Sequence, residues 1–229
     1  YHEIDSLTSW VDTLEWDGQD RLDKLGEVLC VRNDYQTAAI KRWLIGGIAR
    51  AYSPGCTATH MLILFGKQGI GKSRFFRHLS PNPGWFTDSP TFKFSRDTSH
   101  RDEEIKLQGK WIIEVPELAG IWKSDFNDLK NFLTLQAPVI RRPYDPDSVA
   151  LPRRCIFGGT TNMDSIINDP TGGRRFAFIT LGDHKIDVAW VDSNRDQIWA
   201  QAKSWYQAHE PWWFNDTEYL QQIEDNKSF

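Results

Sequence analysis

Residues 66–73 run Gly-Lys-Gln-Gly-Ile-Gly-Lys-Ser, a full G-x-x-x-x-G-K-[ST] pattern whose chemistry is the cradling of phosphate. Glycines let backbone N–H groups close around phosphate oxygens, and a helix starting at the loop's end adds partial positive charge. Lys72 is spaced to reach β- and γ-phosphates, and the Ser73 hydroxyl to hold Mg²⁺. The expected nucleotide-binding set is Gly66, Lys67, Gln68, Gly69, Ile70, Gly71, Lys72, Ser73 and Arg74. A chance glycine turn is the plainer alternative. Against it, the apolar run Met61-Leu62-Ile63-Leu64-Phe65 precedes the loop and a helix-compatible run to Leu79 follows it. Strand, loop and helix in that order predict nucleoside triphosphate binding.

Hydrolysis needs more: an acid near Mg²⁺, a group that orients water, and cations for the developing charge. Glu114 and Glu117 lie at the end of a second apolar run, Trp111 to Glu117. Their odd spacing puts them on opposite faces of a regular strand, but Pro116 ends the strand and turns the chain, so both can face a γ-phosphate. The preferred assignment puts Glu114 in the Mg²⁺ shell and Glu117 on water; the reverse stays open. Asn162 ends a third apolar run, where an amide can hydrogen-bond a γ-phosphate or water; an Asn capping a turn is the alternative. Arg174 and Arg175 are adjacent and so point in different directions. One of them is a candidate cation for a neighbouring subunit's γ-phosphate, against the plainer reading of a surface basic pair.

Around these residues the elements are legible in outline. Leu7, Trp10, Val11 and Leu14, then Leu22 to Leu29, then Ile40 to Ile48, predict three helices, so a helical part over 1–55 precedes a 56–229 nucleotide-binding part. Strands are expected at 61–65, 111–117, 155–160 and 175–181, with helices over 125–135 and around Ile198 to Tyr206. Alternation of this kind predicts an α/β fold, a mostly parallel sheet with helices on its faces. Residues 137–142 and 149–154 flank a turn at 143–146 and predict a hairpin. Arg141, Arg142, Arg153 and Arg154, with Tyr144 among them, are its candidate contacts to single-stranded DNA, where arginines meet phosphates and an aromatic stacks on a base. Lys123 and Lys130 are weaker additions, and Asp145 and Asp147 make a balanced, solvent-facing hairpin the alternative. Trp212-Trp213 offers a stacking pair, though packing between subunits is the plainer reading.

The 229 residues suffice for a substantial core, and the formal charge of −4 gives no global attraction to nucleic acid. Three cysteines far apart, with no C-x-x-C spacing, and six scattered histidines argue for reduced thiols in a cytosolic protein and against a zinc site. No stretch approaches a membrane span and no secretory leader is evident. The first residue is Tyr, as in a piece of a longer protein.

Taken together, Trp16-Asp17-Gly18 with Arg21-Leu22, Pro54-Gly55-Cys56, the 66–73 loop, Trp111 to Glu114 with Glu117-Leu118, Arg141 to Tyr144, Thr160-Thr161-Asn162 and Gly172 to Arg175 resemble the virulence-associated protein E (VapE-like) family. That family is similar to superfamily 3 helicases within the AAA+ ATPases of phages and mobile elements. The match in order and spacing covers residues 10–181. Thr57 to His60 departs from it, where a more acidic stretch is expected, and the last fifty residues carry no matching motif. The resemblance implies a three-layer P-loop AAA+ domain and an ATP-hydrolysing, Mg²⁺-dependent helicase or replication initiator in the cytoplasm of a bacterial host. It further implies a homo-oligomeric ring, commonly a hexamer, moving on single-stranded DNA, with a primase or primase-polymerase as partner. Asn162 falls at the sensor 1 position. Alternatives are an ATP-switched assembly module that grips DNA or loads a partner without unwinding it, and a small-molecule kinase, disfavoured because no acceptor lid is evident.

Overall fold

The computed structural model describes residues 5–88, 107–118, 123–141, 147–162 and 175–226; the side chains of 123–127, 140, 141 and 226 lie outside the description. Three helices come first: α1 (Ser6–Thr13), α2 (Leu22–Val28) and α3 (Asp34–Tyr52). Side-chain caps set two of the starts: Asp5 accepts from Thr8 N and Asn33 accepts from Gln36 N, satisfying amides that a helix leaves open. Then follow β1 (Met61–Gly66), α4 (Lys72–Leu79), a short 3₁₀ turn (Pro83–Trp85), β2 (Phe86–Thr87) and β3 (Ile112–Val115). The remainder is α5 (Lys123–Thr134), β4 (Val139–Arg141), β5 (Ser148–Ala150), β6 (Ile156–Thr161), β7 (Phe176–Gly182), α6 (Val188–Gln207) and α7 (Asp216–Asn226).

Five strands form one parallel sheet in the order β2-β3-β6-β1-β7. β6 therefore lies between the strand that enters the glycine loop and the strand that carries Glu114. Alternation along β1 divides the core. Leu62 and Leu64 join a cluster built from α1, α2, α3, α4 and α6, while Met61 and Ile63 join Leu129, Phe132 and Leu133 of α5 on the other face. The result is the expected three-layer α/β arrangement. The helical part that precedes β1 shares the sheet's own hydrophobic cluster, and α3, buried along most of its length, lies against β1, β6 and β7.

The abundant tryptophan is spent on this packing. Trp43, Trp111 and Trp199 are fully buried, and each donates its indole N–H to a backbone carbonyl, of Phe157, Gly47 and Leu79 respectively. Trp111 and Trp199 lie 4.2 Å apart between ring centroids, and a Cβ on Gly47 would come within 2.9 Å of Trp199. Trp16-Asp17-Gly18 and Arg21 turn out to be a clasp. Arg21 makes a two-pronged pair with Asp17 at 2.7 and 2.8 Å, and its Nε donates to Asn194 on α6. Gln201 of α6 closes the clasp by accepting from Arg21 N and donating to Asp20. The Arg21 guanidinium holds the Asp17 carboxyl down to about 2.

β4 and β5 pair antiparallel, Val139 opposite Ala150 and Arg141 opposite Ser148, as the hairpin pattern predicts. Beyond the expected elements are β2, a two-residue edge strand, and α7, which rests on β7 and α3.

Candidate nucleotide site

The glycine loop joins β1 to α4 as its sequence requires. Gly69 and Gly71 have φ of +81° and +103°, a region open to glycine without strain, and Gly71 is the residue from which α4 begins. No side chain caps that start, so the first-turn amides of Lys72, Ser73 and Arg74 are left for a ligand. The loop is pinned from behind: Lys67 N donates to Gly182 O, Ile186 N donates to Ile70 O, and Ile70 is buried. A Cβ on Gly66 would sit 2.8 Å from the Ile70 side chain, so the loop's first glycine is required by its own anchor. Lys67 itself is exposed and pairs with Asp183 at 2.8 Å.

Lys72 Nζ donates to the carbonyls of Gly66 and Lys67, both at 2.6 Å, which leaves its third N–H for the cleft. Burial lowers its pKa, opposed by the charge of Glu114. The cleft, about 330 Å³, is lined by Gln68, Gly69, Gly71, Lys72, Ser73 and Arg74, by Pro116 and Glu117 after β3, and by Thr160, Thr161 and Asn162 at the end of β6. Three segments distant in sequence therefore meet at the C-terminal ends of neighbouring parallel strands, the edge at which open α/β sheets bind ligands.

The two glutamates separate by position. Glu114 is fully buried within β3, accepts from Thr160 Oγ1 at 2.9 Å, and leaves Oε2 without a hydrogen-bond partner. Burial pushes its carboxyl above the usual range, opposed by the hydroxyls of Ser73 and Thr160. Glu117 is exposed on the cleft wall with φ +51°, an uncommon conformation for a side chain of this size. The strand indeed stops at Val115, ahead of Pro116. An orphaned carboxylate oxygen beside a serine hydroxyl suits Mg²⁺: Ser73 and Glu114 would hold it directly or through water, with remaining positions for ligand oxygens. No group of three or more His, Cys, Asp or Glu side chains converges among the described residues. Thr160 was given no role of its own in the sequence; a pair of hydroxyls, Thr160 and Thr161, ending an otherwise apolar strand before Asn162 is the signal that marks it.

Other expected residues lie elsewhere. Arg175 precedes β7, whose first residue pairs with Met61 at the far end of β1, so it is about 17 Å along the strand from the loop. Its Nε donates to Thr134 Oγ1. Arg174, Arg142 and Tyr144 lie outside the described residues, as does the Arg141 side chain.

One of the hairpin arginines is corrected by its surroundings, and another is paired within the fold. Arg153 is 2% exposed, its guanidinium 3.9 Å from the Phe132 ring centroid and donating to Phe132 O, so it is a core residue and not a DNA contact. Arg154 is paired with Asp5, the residue that caps α1, which ties it to the N-terminal helices. Lys130 is buried as well. Trp212 also turns inward, donating its indole N–H to Thr57 O, whereas Trp213 is 57% exposed.

No helix among the described residues is long and apolar enough to cross a membrane. Among solved structures, the apo NrS-1 C-terminal region (305–718) superposes with a TM-score of 0.59 at 14% identity, covering 94% of this chain and 54% of that one. The A form of the apo C-terminal region aligns with a TM-score of 0.56 at 15% identity, over 84% of this chain and 47% of its own. The chain thus spans about half the length of the structures it matches, and at these identities the likeness is one of fold. No curated protein matches the chain. A family model for the virulence-associated protein E-like domain matches residues 11–229. The chain belongs to the virulence-associated protein E-like domain family.

Proposed function

We propose that this chain is the ATPase unit of a phage or mobile-element replication protein, a ring-forming helicase or initiator acting on single-stranded DNA in a bacterial cytoplasm. One observation carries the reading: the open start of α4, with Lys72 and Ser73, faces the ends of β3 and β6, which bring Glu114, Glu117, Thr160 and Asn162 to the same place. Main-chain amides and Lys72 bind the β- and γ-phosphates of ATP. Ser73 and Glu114 hold Mg²⁺, which neutralises phosphate charge when bound. Glu117 and Asn162, on the cleft wall, orient the attacking water, with Glu117 accepting its proton. The remaining cation comes from a neighbouring subunit, through Arg174 or Arg175. A ring of about six copies supplies such a neighbour to every site, and a primase or primase-polymerase is the expected partner.

The burial of Arg153 favours a second reading. It removes one cation from the hairpin's basic set, and the weaker grip suits an ATP-switched module which holds DNA or loads a partner without unwinding. Two measurements on the purified protein discriminate. Lys72→Ala abolishes ATP turnover if the cleft is the site; retained turnover overturns the assignment. Strand displacement by the parent, with turnover that rises on adding single-stranded DNA, supports the helicase, whereas stimulated turnover without displacement supports the module. Mixing Lys72→Ala protein with an Arg174→Ala/Arg175→Ala variant tests the shared site: restored turnover requires a cation given across an interface.

A further inference from the structure

A second cavity, about 510 Å³, opens at the opposite edge of the sheet, where His60 leads into β1 and Arg175 leads into β7. Its walls are aromatic: Trp212, Trp213, Phe214 and Tyr219, the first three consecutive in the segment before α7. His60 lines it while only 7% exposed, and its Nε2 has no hydrogen-bond partner. Phe214 packs on the imidazole at 5.1 Å, and burial pushes His60 down to about 4, so the ring is neutral near pH 7 and can give or take one hydrogen bond. Trp213 meets Trp212 edge-to-face at 5.0 Å and leaves most of its surface at the rim. Arg175 brings a permanent cation to the wall, held by its bond to Thr134.

A flat ring with a polar edge and an anionic group suits this lining. It stacks on the aromatic wall and carries its anionic group to Arg175; Asp216 at the start of α7 provides an acceptor for a ring amine. The volume falls within the usual range for small-ligand sites. We propose that this cavity binds a nucleobase together with its phosphate, either as a free mononucleotide or as one unit of a single strand, at a site separate from the glycine loop. Arg175 then serves a ligand of its own chain, leaving Arg174 for a neighbour. The proposal does not rest on the reading of the glycine loop.

The test uses the whole chain carrying Lys72→Ala, so that the loop does not dominate binding. Calorimetric titration with AMP, and separately with a short single-stranded oligonucleotide, is repeated after adding Trp213→Ala or His60→Phe. Saturable binding that weakens roughly tenfold or more with Trp213→Ala, the size of one lost base–aromatic stack, supports the cavity. A response to AMP identifies the free nucleotide as the source, and a response to the oligonucleotide alone identifies a strand. Because Trp213 is largely exposed, its variant retains the fold and decides the matter even if His60→Phe does not. The proposal is overturned if neither ligand binds, or if binding ignores both substitutions. It is also overturned if Trp213→Ala changes only the protein's oligomeric mass, since the aromatic wall is then a contact between protein chains.

Discussion

Replacing Gly158 by Ala tests whether the seating of α4 on the sheet is as tight as the geometry states. A Cβ on Gly158 would lie 2.4, 2.5 and 2.7 Å from three carbons of the Phe76 ring, whereas carbon atoms settle at about 3.5–4.0 Å. Either the ring or β6 must retreat by about 1 Å. The ring has nowhere to go: it is fully buried, with Trp43 at 5.7 Å and Phe75 at 5.2 Å both packed edge-on. In an uncrowded strand the same change would stabilise by about 0.4–1 kcal/mol through the unfolded chain. Overpacking a core costs about 1–3 kcal/mol, and the rigidity of this neighbour sets the upper end. For a domain of this size, about 3 kcal/mol lowers Tm by roughly 6–12 °C. Thermal melting followed by circular dichroism reads the shift directly, and a second melt on Gly158→Ala/Phe76→Leu checks the cause, because a smaller side chain at 76 should return part of the loss. A Tm within about 2 °C of the parent, or a double variant whose losses simply add, would refute the reasoning.

Three further outcomes follow from the same geometry. Glu114→Gln keeps the acceptor for Thr160 and removes a buried charge. Since burial raises the native carboxyl pKa, the native state binds more protons above the ordinary carboxylate range, and Glu114 costs stability as pH rises. The variant should therefore melt higher at pH 7 than the parent, with the gap closing toward pH 4.5, while ATP turnover is lost; an equal gap at both pH values contradicts the linkage. Arg153→Ala removes a buried guanidinium from between Phe132 and Phe157 and should cost about 3 kcal/mol in urea unfolding, with DNA affinity of the folded protein unchanged. Asp5→Ala deletes the α1 cap and the partner of Arg154 together and should cost about 1 kcal/mol; no change would mean that α1 is held by packing alone.

Much of the site was legible because its parts are local. The strand–loop–helix run from Met61 to Leu79, and the halt of β3 before Pro116, are dictated by neighbours in sequence. What was not legible depends on partners far along the chain. Arg153 looks like half of a basic pair until Phe132, 21 residues away, captures its guanidinium. Asp17 and Arg21 read only as part of a family pattern until Asn194 and Gln201 show them to be a fastening. β2 is two residues long and has no periodicity to read, and α7 has only a weak apolar stripe. Strand order is invisible in one dimension, yet it places Thr160 beside Glu114 and sends Arg175 to the far edge.

The back-to-back glycines of β6 have a mechanical consequence. Gly158 receives Phe76 of α4 on one face, and Gly159 receives Leu118 and Met61 on the other, with Leu118 Cδ1 only 2.7 Å from where a Cβ would stand. Leu118 follows Glu117 directly, so the cleft wall and the helix that starts at the loop grip the same two peptide units from opposite sides. A sheet normally insulates its two faces with a double layer of side chains. Here it is one backbone thick, so Phe76 of α4 and Leu118 beside Glu117 press on adjacent peptide units with no side chain of β6 between them.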